Sequence, residues 1–476
     1  MSVRLQVMKF GGTSVGNAEC IARAAQIIAK GAKEGRCVAV VSAMSGVTNK
    51  LIEAAKTAQG GNAQGATAII DGLRMQHEKA LEQLVGNDAE RERVRQDIET
   101  VLSEGRRFCE GTALLRELSP RTLDTISSLG ERLSAPMVAA TIKELGRPSE
   151  SVEATELIVT DEFHGGAEPE MDRTRSKSRA RILPLLERGI VPVVTGFLGA
   201  TPAGELTTLG RGGSDYSATI LGAALDADEV IIWTDVDGVL SADPRLVREA
   251  QVIPEISYRE AAELAYFGAK VLHPKTLRPV MEAAIPVWIR NSFAPEKLGT
   301  KITPDGNQAG SAGVKALTAI QEVTLISVGG PGIVGLPDVV GRTFSTTAEV
   351  RANVLLISQS SSQNDICFVV SSVDAQRTVE ALRKEFAQDL AHQKVEHITV
   401  DPHIAIVAVV GQNMRGTPGI AGKTFNALGK EGVNMIAIAQ GSSESNISFV
   451  IEEKGVLPAL QALHRVFGLD GGSARG

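Results

Sequence analysis

Residues 325–371 align with residues 406–452 at a constant offset of 81 and without a gap. The alignment places Gly330 on Gly411, Pro337 on Pro418, Gly341 on Gly422, Phe344 on Phe425, Asn353 on Asn434, Ile357 on Ile438, Gln359 on Gln440, Ser361 on Ser442, Ile366 on Ile447 and Phe368 on Phe449. Chance does not give so regular a match, so the last third of the chain is a duplicated unit. Each copy reads strand, glycine-bearing turn, helix, strand, short polar turn, strand and helix, a βαββα order that lacks one strand of a four-stranded sheet. Val395 to Val400 can supply it to the first copy. The second copy reaches Phe467 and then stops in Gly471-Gly472-Ser473, so its missing strand is expected from Val314 to Ile320. The two units would then interlock and move as one body, which suits a device that turns ligand occupancy into a rigid displacement.

Ahead of the repeat, from Val3 to about Ser292, short β-branched runs alternate with longer helical patterns, as in a parallel sheet covered by helices. Strands are expected at Val3 to Met8, Cys37 to Ser42, Ile190 to Thr195, Glu229 to Thr234 and Pro286 to Asn291. Helices are expected at Ala18 to Glu34, Lys50 to Ala58, Thr67 to Leu84, Ala89 to Arg116, Ser128 to Leu145, Ser176 to Glu187 and Ser257 to Phe267. The charge-dense stretch Thr67 to Arg116 reads as a solvated helical layer. Residues 293–313, with Pro295, Pro304 and four glycines, mark a boundary. The expected division is therefore 1–295 as one catalytic domain, 296–313 as linker, and 314–400 and 401–470 as the two repeat units.

A net charge of -7 argues against a nucleic-acid partner, which would call for a basic face. Cys20, Cys37, Cys109 and Cys367 have neither metal-ligand nor disulfide spacing and read as buried thiols of a reducing compartment. No apolar run is long enough for a signal peptide or a membrane span. The expectation is a cytoplasmic, small-molecule protein.

Chemistry concentrates in the loops that end the strands. Thr208-Leu209-Gly210-Arg211-Gly212-Gly213-Ser214-Asp215-Tyr216-Ser217 brings an arginine fork, a carboxylate and unpaired helix-start N–H groups to one point before the apolar run Ala218 to Ala227. Such a set can hold an amino acid beside a phosphate. Lys9-Phe10-Gly11-Gly12-Thr13-Ser14 ends the first strand with bare backbone amides and a lysine, though not in the order of a P-loop. Ser42 to Asn49, Gly196-Phe197-Leu198-Gly199 and Thr234-Asp235-Val236-Asp237-Gly238 end further strands. In open α/β sheets ligands bind at the carboxyl ends of strands, so these loops predict one shared cleft. Its available charges are Lys9, Glu131, Arg211, Asp215, Asp235, Arg245 and Lys270. Phosphoryl transfer needs positioning and neutralising cations rather than covalent chemistry, which this inventory suits. No serine–histidine pair or Cys/His cluster suggests a hydrolase or a zinc enzyme, and His273 before Pro274 reads as a helix cap.

With these pieces in place, the chain resembles the aspartokinases of the amino acid kinase fold from Val3 to about Leu469. Lys9 to Ser14, Ser42 to Asn49, Gly210 to Ser217, Thr234 to Gly238 and Gly268 to Pro274 look like that family's signatures in the family's order, and the tandem repeat looks like its paired ACT units. The resemblance implies an α/β fold, a three-layer parallel-sheet sandwich followed by two interlocked βαββαβ regulatory units. It implies transfer of the ATP γ-phosphate, with Mg²⁺, to the side-chain carboxylate of L-aspartate on the way to lysine, threonine and methionine. Carried over by residue, Arg211 would clamp the α-carboxylate, and Asp215 with Glu131 would receive the α-ammonium. Ser42 and Thr48 would orient the reacting carboxylate, Ser214 would join the substrate contacts, and Phe197 and Gly199 would close the pocket. Lys9, Gly11 and Gly12 would stabilise the moving phosphoryl group; Thr234, Asp235, Arg245 and Lys270 would hold the nucleotide. Lys9 and Asp215 form the catalytic pair of this reading, which assigns no protein metal ligand.

Two departures qualify the likeness. Leu240 stands where many relatives have a tyrosine near the nucleotide. The repeats most resemble those of bifunctional aspartokinase–homoserine dehydrogenases, yet 476 residues leave no length for a dehydrogenase, so a monofunctional kinase is expected. That likeness favours threonine over lysine as feedback effector, with Gln359 and Gln440 as candidate contacts beside the alternative that both satisfy neighbouring backbone. A homodimer through the regulatory units, or a tetramer, is the family's implication. Competing readings are a kinase of the same fold acting on N-acetylglutamate or a nucleotide, which would not be expected to carry the tandem tail, and a silent amino-acid sensor.

Overall fold

The computed structural model describes residues 4–268, 272–306, 313–330, 337–359, 365–412, 414, 417–440 and 445–470. Its first part contains β1 (Leu5–Phe10), β2 (Arg36–Val41), β3 (Ser149–Val152), β4 (Val191–Thr195), β5 (Leu198–Ala200), β6 (Leu206–Thr208), β7 (Glu229–Thr234), β8 (Glu255–Ser257), β9 (Val287–Asn291) and β10 (Thr300–Thr303). β5 and β6 form a small hairpin; the rest make one sheet in the order β3-β4-β2-β1-β7-β9-β10-β8. The run from β3 to β9 is parallel throughout, and only the β9–β10 pair is antiparallel. Parallel pairing puts the carboxyl ends of β1, β2, β4 and β7 on one edge, where the glycine-rich and polar loops emerge.

The helices of this part are α1 (Ala18–Glu34), α2 (Val47–Gln59), α3 (Ala63–Leu84), α4 (Asp88–Leu115), α5 (Pro120–Ser127), α6 (Leu129–Glu144), α7 (Met171–Glu187), α8 (Gly213–Ala224), α9 (Tyr258–Tyr266) and α10 (Pro274–Glu282). α1 and α6 cover one sheet face, while α8, flanked by α7 and α10, covers the other, which gives three layers. The sheet strands are buried on both sides and so read as continuous apolar runs rather than alternating ones. α4 is mostly solvated, as its charge predicts, but buries a stripe of Val94, Ile98, Val101, Leu102, Gly105 and Cys109 at three- and four-residue spacing. Its ion pairs, Arg93 with Glu90 and Asp97 among them, are at least partly open to solvent, and such pairs contribute little.

The repeats are built from β11 (Gly313–Gly329), α11 (Pro337–Glu349), β12 (Val354–Gln359), β13 (Asp365–Ser371), α12 (Ser372–Glu385), α13 (Ala387–Ala391), β14 (His397–Gln412), α14 (Ile420–Lys430), β15 (Met435–Ala439), β16 (Asn446–Glu452) and α15 (Val456–Val466). β11 and β14 are long antiparallel partners, and each serves both copies. β13 pairs with Val323–Gly329 of β11, and β16 with Ile404–Val410 of β14. The leading half of β11 thus completes the second copy and the leading half of β14 the first, the expected interlock. The paired glycines have a packing cause: a Cβ on Gly411 would lie 2.2 Å from the Gly313 carbonyl oxygen, and one on Gly330 2.8 Å from the Glu396 amide.

Several details differ from the sequence reading. Thr300–Thr303 is a strand of the large sheet, although 296–313 reads as linker. The chain divides into two compact units, and the second takes in Leu240–Ile253 and the described part of Glu263–Lys270 along with the repeats. Ala242 and Val247 are buried in the core of the second copy, and Ser241 Oγ lies 2.9 Å from His464 Nε2. Cys367 is half-buried, with its Sγ accepting from Ser327 Oγ, whereas Cys20, Cys37 and Cys109 are buried free thiols. Burial pushes the Cys37 thiol up to about 12. Among the described residues no helix is long and apolar enough to cross a membrane.

Candidate active site

The site grows from the carboxyl edge of the sheet. Lys9, the penultimate residue of β1, is only 8% exposed, and its Nζ lies 2.5 Å from Asp215 Oδ1 as an ion pair. Asp215 sits in the first turn of α8. That helix starts at Gly213, five residues ahead of the apolar run that suggests it, because Gly212 adopts the left-handed conformation (φ 70°) and turns the chain directly into the helix. Neither Gly212 nor Gly46, the left-handed residue (φ 77°) before α2, supplies a side-chain cap. Thr48 and Ser214 therefore lie in uncapped first turns, whose amides carry partial positive charge.

These elements enclose a cavity of about 240 Å³ lined by Lys9, Ser42, Thr48, Glu131, Phe197, Ser214 and Asp215, with Gly210, Gly212 and Gly213. Glu131 projects from the first turn of α6 and is 4% exposed; burial pushes its carboxyl up to about 8 despite a hydrogen bond to the Ala43 backbone and the nearby Lys9. Its Oε2 has no hydrogen-bond partner among the described residues. Phe197 is held at φ 73°, a strained conformation for an aromatic residue, by Ser217 Oγ accepting from its amide (2.9 Å) and Leu209 N donating to its carbonyl (2.9 Å). Its ring fills the space where Gly213 has no Cβ; an added carbon would sit 2.5 Å from Phe197 Cδ2.

Gly11 and Gly12 form the turn beyond Lys9. The Gly11 amide donates to the Trp233 carbonyl (3.3 Å), tying the turn to β7, and a Cβ there would approach Lys9 Nζ to 3.2 Å. Thr234 and Asp235 leave the end of β7, with Thr234 Oγ1 donating to Asp235 Oδ1 at 3.2 Å. Other expected site residues are not part of the cavity lining. Arg211 is exposed between Gly210 and Gly212 and outside the cavity lining; it lies close enough to His273 that its charge, after burial, lowers that imidazole's pKa. His273 is the N-cap of α10, accepting from Lys275 N, as read. Gly199 pairs with Thr207 in the β5–β6 hairpin and abuts Thr160 rather than the cavity. Arg245 belongs to the second compact unit, exposed and paired with Asp243. Lys270 lies outside the described residues. Gln359 ends β12 and Gln440 follows β15, both exposed, on the two edge strands of the six-stranded sheet. Those edges approach each other, with Ser358 Oγ 3.4 Å from the Ile438 carbonyl.

Residues 4–291 match the amino acid kinase family, and 326–386 and 407–467 each match an ACT domain. E. coli aspartokinase III, solved with aspartate and ADP, is 30% identical, with a TM-score of 0.78, covering 97% of this chain and 99% of that one. The chain belongs to the aspartokinase family. Its curated relatives in the family include aspartokinase 1, chloroplastic, of Arabidopsis thaliana, 33% identical over 97% of this chain and 80% of the relative. Bifunctional aspartokinase/homoserine dehydrogenase 1, chloroplastic, of the same plant is 37% identical over 97% of this chain. This chain spans about half (51%) of that bifunctional aspartokinase's length.

Asp124 is a residue that sequence reasoning missed. It is buried in α5 behind the Thr208–Gly213 loop and accepts hydrogen bonds from Thr208 and Gly165. The helix itself had a readable start, Ser119 capping with Pro120 in the first turn.

Proposed function

We propose that the chain is an aspartate kinase, transferring the γ-phosphoryl group of ATP to the side-chain carboxylate of L-aspartate. The observation that carries this reading is the 240 Å³ cavity, where a buried lysine, one buried and one half-buried carboxylate and two uncapped helix starts converge. Glu131, with an unpartnered oxygen and a carboxyl that burial keeps protonated, receives the α-ammonium, whose charge draws it into the ionised form. Arg211 clamps the α-carboxylate as a planar fork. Ser42, Thr48 and the amides of the first turn of α2 orient the reacting carboxylate, and Ser214 and Phe197 bound the pocket. The nucleophile is already an anion, so no general base is required. Lys9 offsets the repulsion between carboxylate and phosphate, Asp215 holds its ammonium in place, and the turn beyond Gly11, whose own amide donates to Trp233, offers the Gly12 amide to the phosphates. Thr234 and Asp235 at the same sheet edge hold the nucleotide. No cluster of three or more His, Cys, Asp or Glu side chains suited to a metal occurs among the described residues. This donor set fits Mg²⁺ arriving as part of the MgATP substrate, coordinated mainly by phosphate oxygens.

The test is aspartate-dependent ADP release by the purified chain with MgATP; no release with aspartate but release with another acceptor overturns the assignment. In the same assay Arg211→Ala is expected to raise the KM for aspartate about ten- to a hundredfold while kcat changes little, because the lost bond is made equally in ground and transition states. A fall in kcat at unchanged KM would instead place Arg211 on the phosphates.

The paired ACT units support feedback inhibition by an amino acid end product, with threonine favoured over lysine through the likeness of the repeats to the bifunctional relatives. Gln359 and Gln440, at the ends of adjoining edge strands, are the proposed effector contacts. Exposed Ile357, Ile436 and Ile438 on those strands support association of two chains there. Titrating steady-state activity in turn with threonine, lysine and methionine is expected to show inhibition by threonine. Inhibition by lysine with none by saturating threonine overturns this choice.

A further inference from the structure

Asp124 is 3% exposed and uses both carboxylate oxygens as acceptors for segments distant in sequence. Oδ1 accepts from Thr208 Oγ1 (2.6 Å); Oδ2 accepts from the Gly165 amide (2.9 Å) and the Thr208 amide (3.2 Å) and lies 3.1 Å from His164 Nδ1. A carboxylate suits this place because three of its neighbours are fixed N–H or O–H donors and an ionised Asp is acceptor-only. The Thr208 carbonyl in turn accepts from Ala167 N at 2.9 Å. Two residues on, Gly210 (φ 77°) presses against the same segment: a Cβ there would lie 2.9 Å from the Gly165 oxygen and 3.1 Å from Gly166 Cα. Lys275 closes the frame by donating to the Gly166 (3.2 Å) and Ala167 (3.3 Å) carbonyls and pairing with Glu168 (2.9 Å), whose carboxylate accepts from Tyr216 OH beside Asp215.

On its other side Asp124 is continuous with the helix that carries Glu131. Its carbonyl accepts from Ser128 N at 3.0 Å, where α5 runs into α6, three residues before Glu131. One buried carboxylate thus joins the helix bearing Glu131 to the glycine-flanked loop bearing Arg211. We propose that Asp124 is a positioning residue that sets the spacing between the groups receiving the α-ammonium and the α-carboxylate, and so reads the amino-acid end of the acceptor. This rests on the aspartate kinase reading of the cavity. A loop displaced by about 1 Å can lose a hundredfold in productive binding, so a residue remote from the reacting atoms can govern recognition.

The test is Asp124→Asn in the full chain, which keeps the shape but places an N–H donor among donors. The KM for aspartate is expected to rise about tenfold or more, with the KM for ATP within about twofold and kcat within about threefold. Amide exchange should quicken in peptides covering 161–168 and 205–213. Thr208→Val, a milder variant that removes only the hydroxyl donor, is expected to raise the same KM, and Asp124→Asn should add less in that background than alone. An unchanged KM for aspartate, equal losses in both substrates' KM values, or full additivity of the two variants overturns the proposal. If the unsubstituted chain shows no aspartate-dependent turnover while exchange still quickens in Asp124→Asn, the failure belongs to the substrate assignment and the tether stands.

Discussion

Replacing Lys9 by alanine is expected to lower kcat about 10²- to 10³-fold, with a much smaller change in the KM for aspartate, measured as ADP release at saturating MgATP. The size follows from where the ammonium lies. Lys9 is 8% exposed at the end of a central strand, so its charge acts in a poorly screened setting, and its 2.5 Å pairing with Asp215 fixes it before substrate arrives. A cation already oriented needs no reorganisation as charge builds between two anions. The substitution also strands the Asp215 carboxylate in the cavity wall, so a fall in thermal stability should accompany the kinetic loss. Asp215→Asn separates the effects: it leaves the lysine charged but less firmly held, and should lower kcat less than Lys9→Ala does. Near-normal turnover of folded Lys9→Ala would remove the lysine from the mechanism.

The parts of the molecule legible in the sequence are those whose pattern is local. β7 runs from Glu229 to Thr234 and α1 from Ala18 to Glu34, as the apolar run and the amphipathic stripe predict, and the interlock of the repeats follows from a missing strand in each copy. What escaped has partners far away along the chain. β8 and β10 are three and four residues long and become strands only by pairing with each other and with β9. Residues 240–253 come soon after β7 in the chain, yet Ala242 and Val247 find their apolar surroundings in the second repeat. Asp124 meets donors 40, 41 and 84 residues away, a constellation that no spacing rule encodes. In the site, the glycines around Arg211 announced a turn, but the early start of α8, which puts Ser214 and Asp215 on a helix, depends on the left-handed Gly212. Glu131 is expected in the cleft, but its burial is not: nothing local in Gly130-Glu131-Arg132 marks it as buried, and that appears only when α6 packs against the sheet.

That burial makes Glu131→Gln the second large effect, with opposite signs for function and stability. In the empty fold the carboxyl is pushed up to about 8 from 4.5, chiefly by burial, so between those values the folded chain binds a proton that the unfolded chain has released. Stability must then fall as pH rises through this window, with a limiting slope of about 1.4 kcal/mol per pH unit, and flatten above about pH 8. Glutamine carries no such charge, so Glu131→Gln should lose that slope and, without ligand, melt higher than the parent at pH 8. Aspartate reverses the comparison. An α-ammonium beside Glu131 favours the carboxylate, so at neutral pH the parent releases a proton on binding, and its kcat/KM for aspartate should climb between pH 6 and 8 before levelling. The glutamine variant should show a flat profile over that range and a KM for aspartate raised about ten- to a hundredfold, the loss of one hydrogen bond between charged partners. Thermal melts and kinetics at pH 6, 7 and 8, each with and without saturating aspartate, measure both effects on the same preparations. A variant that keeps the parent's KM and pH profile would place the ammonium elsewhere, whatever its melting temperature. If the KM rises while the stability slope survives, Glu131 binds substrate but another buried group titrates.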